Sequence, residues 1–223
     1  MRLMDRIPWE ELSGREPRAF VGFSDISAFQ LTLWSRCGWV SFSGPQVVNG
    51  LGGSITGRTA EHLKGMLDGS GRRMIWPSGD PVVLRPLRKG EAGGVLAPCC
   101  LSMLVSLVGT GYLPDLTGAV LCLEDIGEPA YRIDRMCWQL AASGVLKGLA
   151  ALLLGSFTLN GGEAVEEIDR IVLDHFGGGG FPIWSGLPYG HIDDRLTLPV
   201  GAAAVIESDG VLRLKMELDG DTK

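Results

Sequence analysis

A chain of 223 residues, 45% hydrophobic and 21% charged, has enough apolar side chains to bury a sizeable core, which excludes a disordered linker or tail. Its formal net charge of −6 and its lack of long Lys/Arg clusters exclude a basic, phosphate-neutralising face, so nucleic acid is not an expected partner. No apolar run approaches the roughly 20 residues that span a bilayer, and "MRLMDRIPWEEL" has acids and a proline where a signal peptide needs an apolar stretch, so no membrane partner is expected either.

In chain order, "AFVGF" (19–23) predicts a short buried strand, and 26–37 carries apolar residues at helical spacing up to a stop at Gly38. "WVSFSGP" predicts a strand, "NGLGGSITGR" a loop, "TAEHLKGML" a helix, and "DGSGRR" a turn-rich connection that marks a domain boundary. From about residue 82, "GGVLAP" predicts a strand and "CLSMLVSLV" an apolar helix ending at Gly109. "GAVLCLED" predicts a strand that ends in two carboxylates, and "PAYRIDRMCWQLAASG" an amphipathic helix with Pro129 at its start and Gly144 beyond its end. "LAALLLGSF" is strand-like in its second half, "GEAVEEIDRIVLDHF" helical, and "PIWSGLP" a strand. The tail "LTLPVGAAAVIESDGVLRLKM" alternates and turns at Ser208-Asp209-Gly210, as a β-hairpin does. This alternation of strands and helices predicts an α/β protein. Five cysteines (Cys37, Cys99, Cys100, Cys122, Cys137), odd in number and without C-x-x-C spacing, read as reduced core thiols, which points to a cytoplasmic location.

Ser24, in "VGFSD", stands where a buried strand must turn into a helix. Its hydroxyl either caps that helix or serves as a nucleophile, exposed by the turn beside backbone N–H groups that could hold an oxyanion. A nucleophilic serine needs a histidine base and a carboxylate to orient it. His62 and His175 lie in charged helical segments and are expected on the surface, whereas His191 follows "GLPYG" in a loop after a strand, a common setting for function. Glu124 and Asp125 end an apolar strand, where α/β proteins gather site residues, although such acids also serve as charges at a helix start. Asp193-Asp194 near His191 reads as a solvated turn rather than a metal site, and P-loop, G-x-G-x-x-G and H-E-x-x-H patterns are absent.

"FVGFSDISAFQLTLWSRCGWVSFSGP", "GTGYLPDLTGAVLCLEDIGEPAYRIDRMCWQL" and "GLPYGHIDDRLTLPVGAAAVI", in that order, resemble the LD-carboxypeptidases, the serine peptidase family that includes the microcin C self-immunity peptidases. The resemblance implies a Ser-Glu-His triad of Ser24 (nucleophile), Glu124 (orienting acid) and His191 (general base), with the Asp25 N–H in the oxyanion hole and no metal or other cofactor. It further implies cleavage between an L-centred diamino acid and a terminal D-alanine in cytoplasmic muropeptides, during peptidoglycan recycling, and a homodimer. Arg132 and Arg135 are candidates for binding a substrate carboxylate, with a structural ion pair as the plain alternative. The implied architecture is a shortened, flavodoxin-like N-terminal domain with parallel strands over 1–80, carrying the nucleophile, and a C-terminal α/β domain over 81–223, carrying the acid and base.

Departures from the family pattern open other readings. About 90 further residues normally precede the serine segment, most of a small α/β domain, so a shortened non-catalytic homologue is one alternative. "APCCLS" replaces a glycine-rich stretch, so Pro98 and Cys99 are expected to alter a substrate-side loop, and Ser43 stands where histidine is common. A second alternative keeps the triad for peptidyl-nucleotide or acyl-sulfamoyl-adenylate antibiotics, with Trp184 or Trp76 as a stacking residue.

Overall fold

The apolar run at 19–23 yields a strand of two residues, β1 (Val21–Gly22), because the chain turns at Ser24 into a helix over Ile26–Cys37. Gly22 permits the turn, since a Cβ there would stand 2.3 Å from Cγ2 of Ile26. Ahead of β1, α1 (Trp9–Ser13) packs Trp9 with Met4 and Leu33, the last from the Ile26–Cys37 helix, α2. Gly38, left-handed at φ 68°, ends α2 by donating its N–H to the Trp34 carbonyl.

The computed structural model describes residues 1–53, 55–69, 82–158 and 165–215; Trp76 and the expected boundary at 80/81 lie outside them. β1 runs parallel to β2 (Ser41–Ser43), a π-helical turn follows at Val47–Leu51, and α3 (Gly57–Asp68) comes next. From residue 82 onward come β3 (Arg85–Arg88), β4 (Ala92–Cys100), α4 (Leu101–Leu107), β5 (Ala119–Ile126), α5 (Ala130–Ser143) and β6 (Ala151–Thr158). α6 (Val165–Phe176), β7 (Ile183–Ser185), β8 (Leu198–Val200), β9 (Ala203–Ile206) and β10 (Leu212–Lys215) complete the described chain.

The strands form a three-stranded sheet, β1-β2-β8, and a seven-stranded one, β10-β9-β4-β5-β6-β7-β3. In the larger sheet β4, β5, β6 and β7 are mutually parallel, with antiparallel neighbours outside them, so the architecture is α/β. Every β5 residue from Ala119 to Asp125 is buried, because both faces of the sheet are covered. Leu121, Leu123, Leu152 and Leu154 pack with α5 residues such as Ile133 and Leu140, whereas Val120, Cys122 and Leu153 pack on the other face with Trp184, Tyr189 and Leu196. Each such leucine, isoleucine or valine contributes about 1.5–3 kcal/mol on leaving water. All five cysteines are free thiols.

One expectation is corrected here. Pro98 and Cys99 lie inside β4, buried, opposite Cys122 and Leu123, and not in a substrate-side loop. Proline is tolerated in this inner strand because the β9 ladder ends at Val95; beyond the Leu96 N–H, which reaches Ala202, the next donor in that direction is Cys100 N–H, taken by Ser27 Oγ at 3.3 Å. The tail hairpin turning at 208–210 forms as expected between β9 and β10, while β8, just ahead of it, joins the smaller sheet.

Candidate active site

Ser24 is the sole non-glycine residue with a positive φ, 61°, among the described residues. That conformation costs roughly 1–3 kcal/mol and persists only where its surroundings enforce it. Here Ile26 N–H donates to the Phe23 carbonyl at 3.3 Å and Ser27 N–H to the Ser24 carbonyl at 2.8 Å. The capping alternative is not realised: the N-cap position of α2 falls on Asp25, which makes no side-chain cap bond. Ser24 instead borders a cavity of about 250 Å³, together with Phe23, Gln46, His191, Asp193 and Arg195. The exposed Asp25 places its backbone N–H next to that serine, at the start of α2.

Glu124, near the C-terminal end of the buried part of β5, sits at a bulge. Leu123 pairs with Leu154 but Asp125 with Phe157, so the β6 residues Gly155 and Ser156 together oppose Glu124. Glycines clear the space around it, for a Cβ on Gly155 would lie 2.4 Å from the Tyr189 carbonyl, and one on Gly190 would lie 3.1 Å from Oε2 of Glu124. The Glu124 side chain is 0% exposed; Oε2 lies 2.8 Å from His191 Nδ1, and Oε1 accepts from the Cys100 thiol at 2.6 Å. Burial, reinforced by the Glu124 charge, pushes the Cys100 thiol up, so it remains a donor. With Nδ1 donating to the carboxylate, Nε2 becomes the proton acceptor of the imidazole. Cys100, Glu124 and His191 place one ligand atom each within 4.8 Å of one another, a set that could hold a thiophilic cation only after loss of the thiol proton. Asp125 serves elsewhere: its carboxylate accepts from Ser102 N–H at 2.7 Å, at the start of α4, and burial raises its pKa.

The loop that carries His191 is braced from two sides. Tyr189, 0% exposed, shares a 2.7 Å hydrogen bond with Ser43 Oγ, and its carbonyl accepts Ser156 N–H at 2.8 Å. On α3, Thr59 Oγ1 donates to the Asp193 carbonyl at 2.9 Å and accepts Arg195 N–H at 3.0 Å. One turn on, His62 Nδ1 accepts Thr197 N–H at 3.0 Å. His62, expected on the surface, is therefore corrected to a buried brace, 3% exposed, whose pKa burial pulls down to about 4. His175 is likewise half-buried, 2.8 Å from Asp134 of α5.

Among the expected site residues, the structure brings Ser24 and His191 to one cavity and Glu124 to His191. Arg132 and Arg135 lie on the exposed side of α5, Arg132 ion-paired with Glu128 at 3.1 Å and Arg135 over the Tyr131 ring; neither lines the cavity. Asp194 pairs with Arg58 at 3.8 Å and accepts from Thr56 Oγ1, as a turn tied to α3. Arg195, which sequence reading passed over, does line the cavity, with its guanidinium 4.7 Å from the Phe23 ring centroid.

A strained serine that neither caps a helix nor turns into the core, sharing a cavity with a carboxylate-held imidazole, is the architecture of a serine hydrolase. Comparison with known families sharpens that class. Residues 93–206 match the LD-carboxypeptidase C-terminal domain and residues 1–44 the LD-carboxypeptidase N-terminal domain, and the chain belongs to the LD-carboxypeptidase family. A Streptomyces coelicolor protein named as a carboxypeptidase is 37% identical over 96% of this chain and 67% of its own. The murein tetrapeptide carboxypeptidase of Pseudomonas aeruginosa is 32% identical over 93% of this chain and 69% of its own. The crystal structure of muramoyltetrapeptide carboxypeptidase from Oxalobacter formigenes superposes with a TM-score of 0.77 at 29% identity, covering 96% of this chain and 72% of that one. The chain thus spans about two thirds of the length of the curated relatives it matches.

Proposed function

We propose that this chain is the catalytic part of a serine LD-carboxypeptidase that removes terminal D-alanine from muropeptides by cleaving its amide bond to an L-centred diamino acid. The observation that carries the reading is the 2.8 Å contact between His191 Nδ1 and the buried Glu124 carboxylate, beside a cavity that also exposes Ser24. Ser24 Oγ attacks the carbonyl carbon while His191 Nε2 takes its proton, and Glu124 stabilises the imidazolium. In this reading the Asp25 N–H, at the start of α2, stabilises the oxyanion. The C–N bond breaks as His191 returns the proton to the leaving amine, and water then releases the acyl group from Ser24. Trp184, offered from sequence as a stacking platform for nucleotide antibiotics, is 1% exposed and packs in the core, so it lends that alternative no support.

In a cytoplasmic recycling role the protein would meet soluble muropeptides; among the described residues no helix is long and apolar enough to cross a membrane. A homodimer belongs to the same reading. The test is D-alanine release from an L,D-linked tetrapeptide by this chain, beside the chain extended by any upstream coding sequence. Release by either supports the assignment, and silence from both overturns it.

A further inference from the structure

A carboxypeptidase differs from an endopeptidase in reading the free carboxylate at the end of its substrate. Among the described residues that line the cavity, Arg195 is the single one with a permanent positive charge. Its position is unusual for an arginine. It is half-buried, it forms no ion pair among the described residues, and its Nε is buried without an acceptor. The one side-chain hydrogen bond it makes there, from a terminal nitrogen to the Gly190 carbonyl, is long at 3.3 Å. The guanidinium rests over the Phe23 ring, which also meets the His191 ring at 4.6 Å, so the aromatic side chain preceding Ser24 contacts both the cation and the base.

Such a cation is incompletely solvated and incompletely paired. Asp193 shares the cavity wall but is exposed and makes no ion pair with it among the described residues. Burial depresses the Arg195 pKa, the response of a charge short of counter-ions, and the Glu124 charge only partly offsets this. A planar carboxylate accepting from the guanidinium would supply the missing partner through charge-assisted bonds. The backbone N–H of Arg195 is itself held by Thr59 at 3.0 Å, so α3 fixes the position from which its side chain extends.

We infer that Arg195 binds the terminal carboxylate of the peptide and thereby confines the site to exopeptidase cleavage of the last residue. The role offered from sequence to Arg132 and Arg135 passes to a residue four positions after His191 in the same loop. This deepens the proposed function and rests on it for the identity of the peptide, but its test does not require turnover.

The experiment uses the Ser24→Ala protein, so that nothing is hydrolysed, titrated calorimetrically with an L,D-linked tetrapeptide as its C-terminal acid and as its C-terminal carboxamide. The acid is expected to bind at least tenfold tighter than the amide. Adding Arg195→Ala should erase that preference by weakening the acid alone, and Arg195→Lys should restore part of it. Arg195→Gln, which keeps N–H donors without charge, serves as the second variant should the alanine protein fail to fold. A preference that survives Arg195→Ala or Arg195→Gln, equal affinities in the parent, or no binding of either peptide would each overturn the inference. An acid preference that depends on Arg195 in a protein that releases no D-alanine would leave the anchor standing while the proposed reaction falls.

Discussion

Nδ1 of His191 lies 2.8 Å from Oε2 of Glu124, and the carboxylate at that contact has no exposed surface. An orienting acid so placed cannot be replaced by water, which makes its charge testable. Glu124→Gln keeps the shape and removes the charge, and D-alanine release should fall on the order of 10⁴-fold in kcat, as the loss of a triad carboxylate does elsewhere. A circular dichroism melt near that of the parent would assign the loss to chemistry, and retained activity would remove Glu124 from the scheme.

Ser24 links function to strain. Ser24→Ala should abolish hydrolysis with little change in stability, because alanine meets the same penalty at φ 61°. Ser24→Gly should also be inactive but more stable by about 1 kcal/mol, since glycine adopts that φ freely. Urea unfolding of the three proteins checks the order, and a glycine variant less stable than the parent would contradict it.

His62 gives the fold an acid-sensitive point. Burial lowers its pKa to about 4, while an unfolded histidine titrates near 6.5, so the unfolded chain takes up the proton first. Its contribution to stability is complete above about pH 6.5 and is lost as pH falls toward 4, amounting to about 2 kcal/mol by pH 5. Asp125, raised by burial, acts with the opposite sign but is common to parent and variant. His62→Asn, which keeps an acceptor for Thr197 N–H, should therefore lose less stability than the parent between pH 7 and pH 5 in urea unfolding. Equal losses in the two proteins would exclude His62 as the source.

Gly155 is expected to tolerate no side chain. An added Cβ would stand 2.4 Å from the Tyr189 carbonyl, so Gly155→Ala must push the loop of His191 away from Glu124. The cost is about 1–3 kcal/mol of stability, with kcat reduced at least tenfold, read from a thermal melt and a D-alanine assay. A fully active variant would show that the loop can shift without disturbing the pair.

The site was legible where local pattern and chemistry coincide. Ser24, Glu124 and His191 follow or end apolar strands, and α2 stops at Gly38 as its spacing requires. Arg195 was hidden because a cation beside Asp193 and Asp194 has the composition of a solvated turn; only its contact with Phe23, 172 positions back, turns it into a lining residue. His62 was hidden for the same reason, since its partner, Thr197, lies 135 residues away and nothing in "TAEHLK" announces it. The placement of β8 was equally illegible, because alternation reports that a strand is half-buried and not which sheet buries it.

That strand has a practical consequence. β8 begins seven positions after His191 and pairs with β2, while β9, three residues beyond its end, belongs to the other sheet. A serine elbow transplanted between relatives as an N-terminal cassette would therefore pair its β2 with the recipient's strand at the β8 position, and swaps should work best when they carry both passages of the chain together.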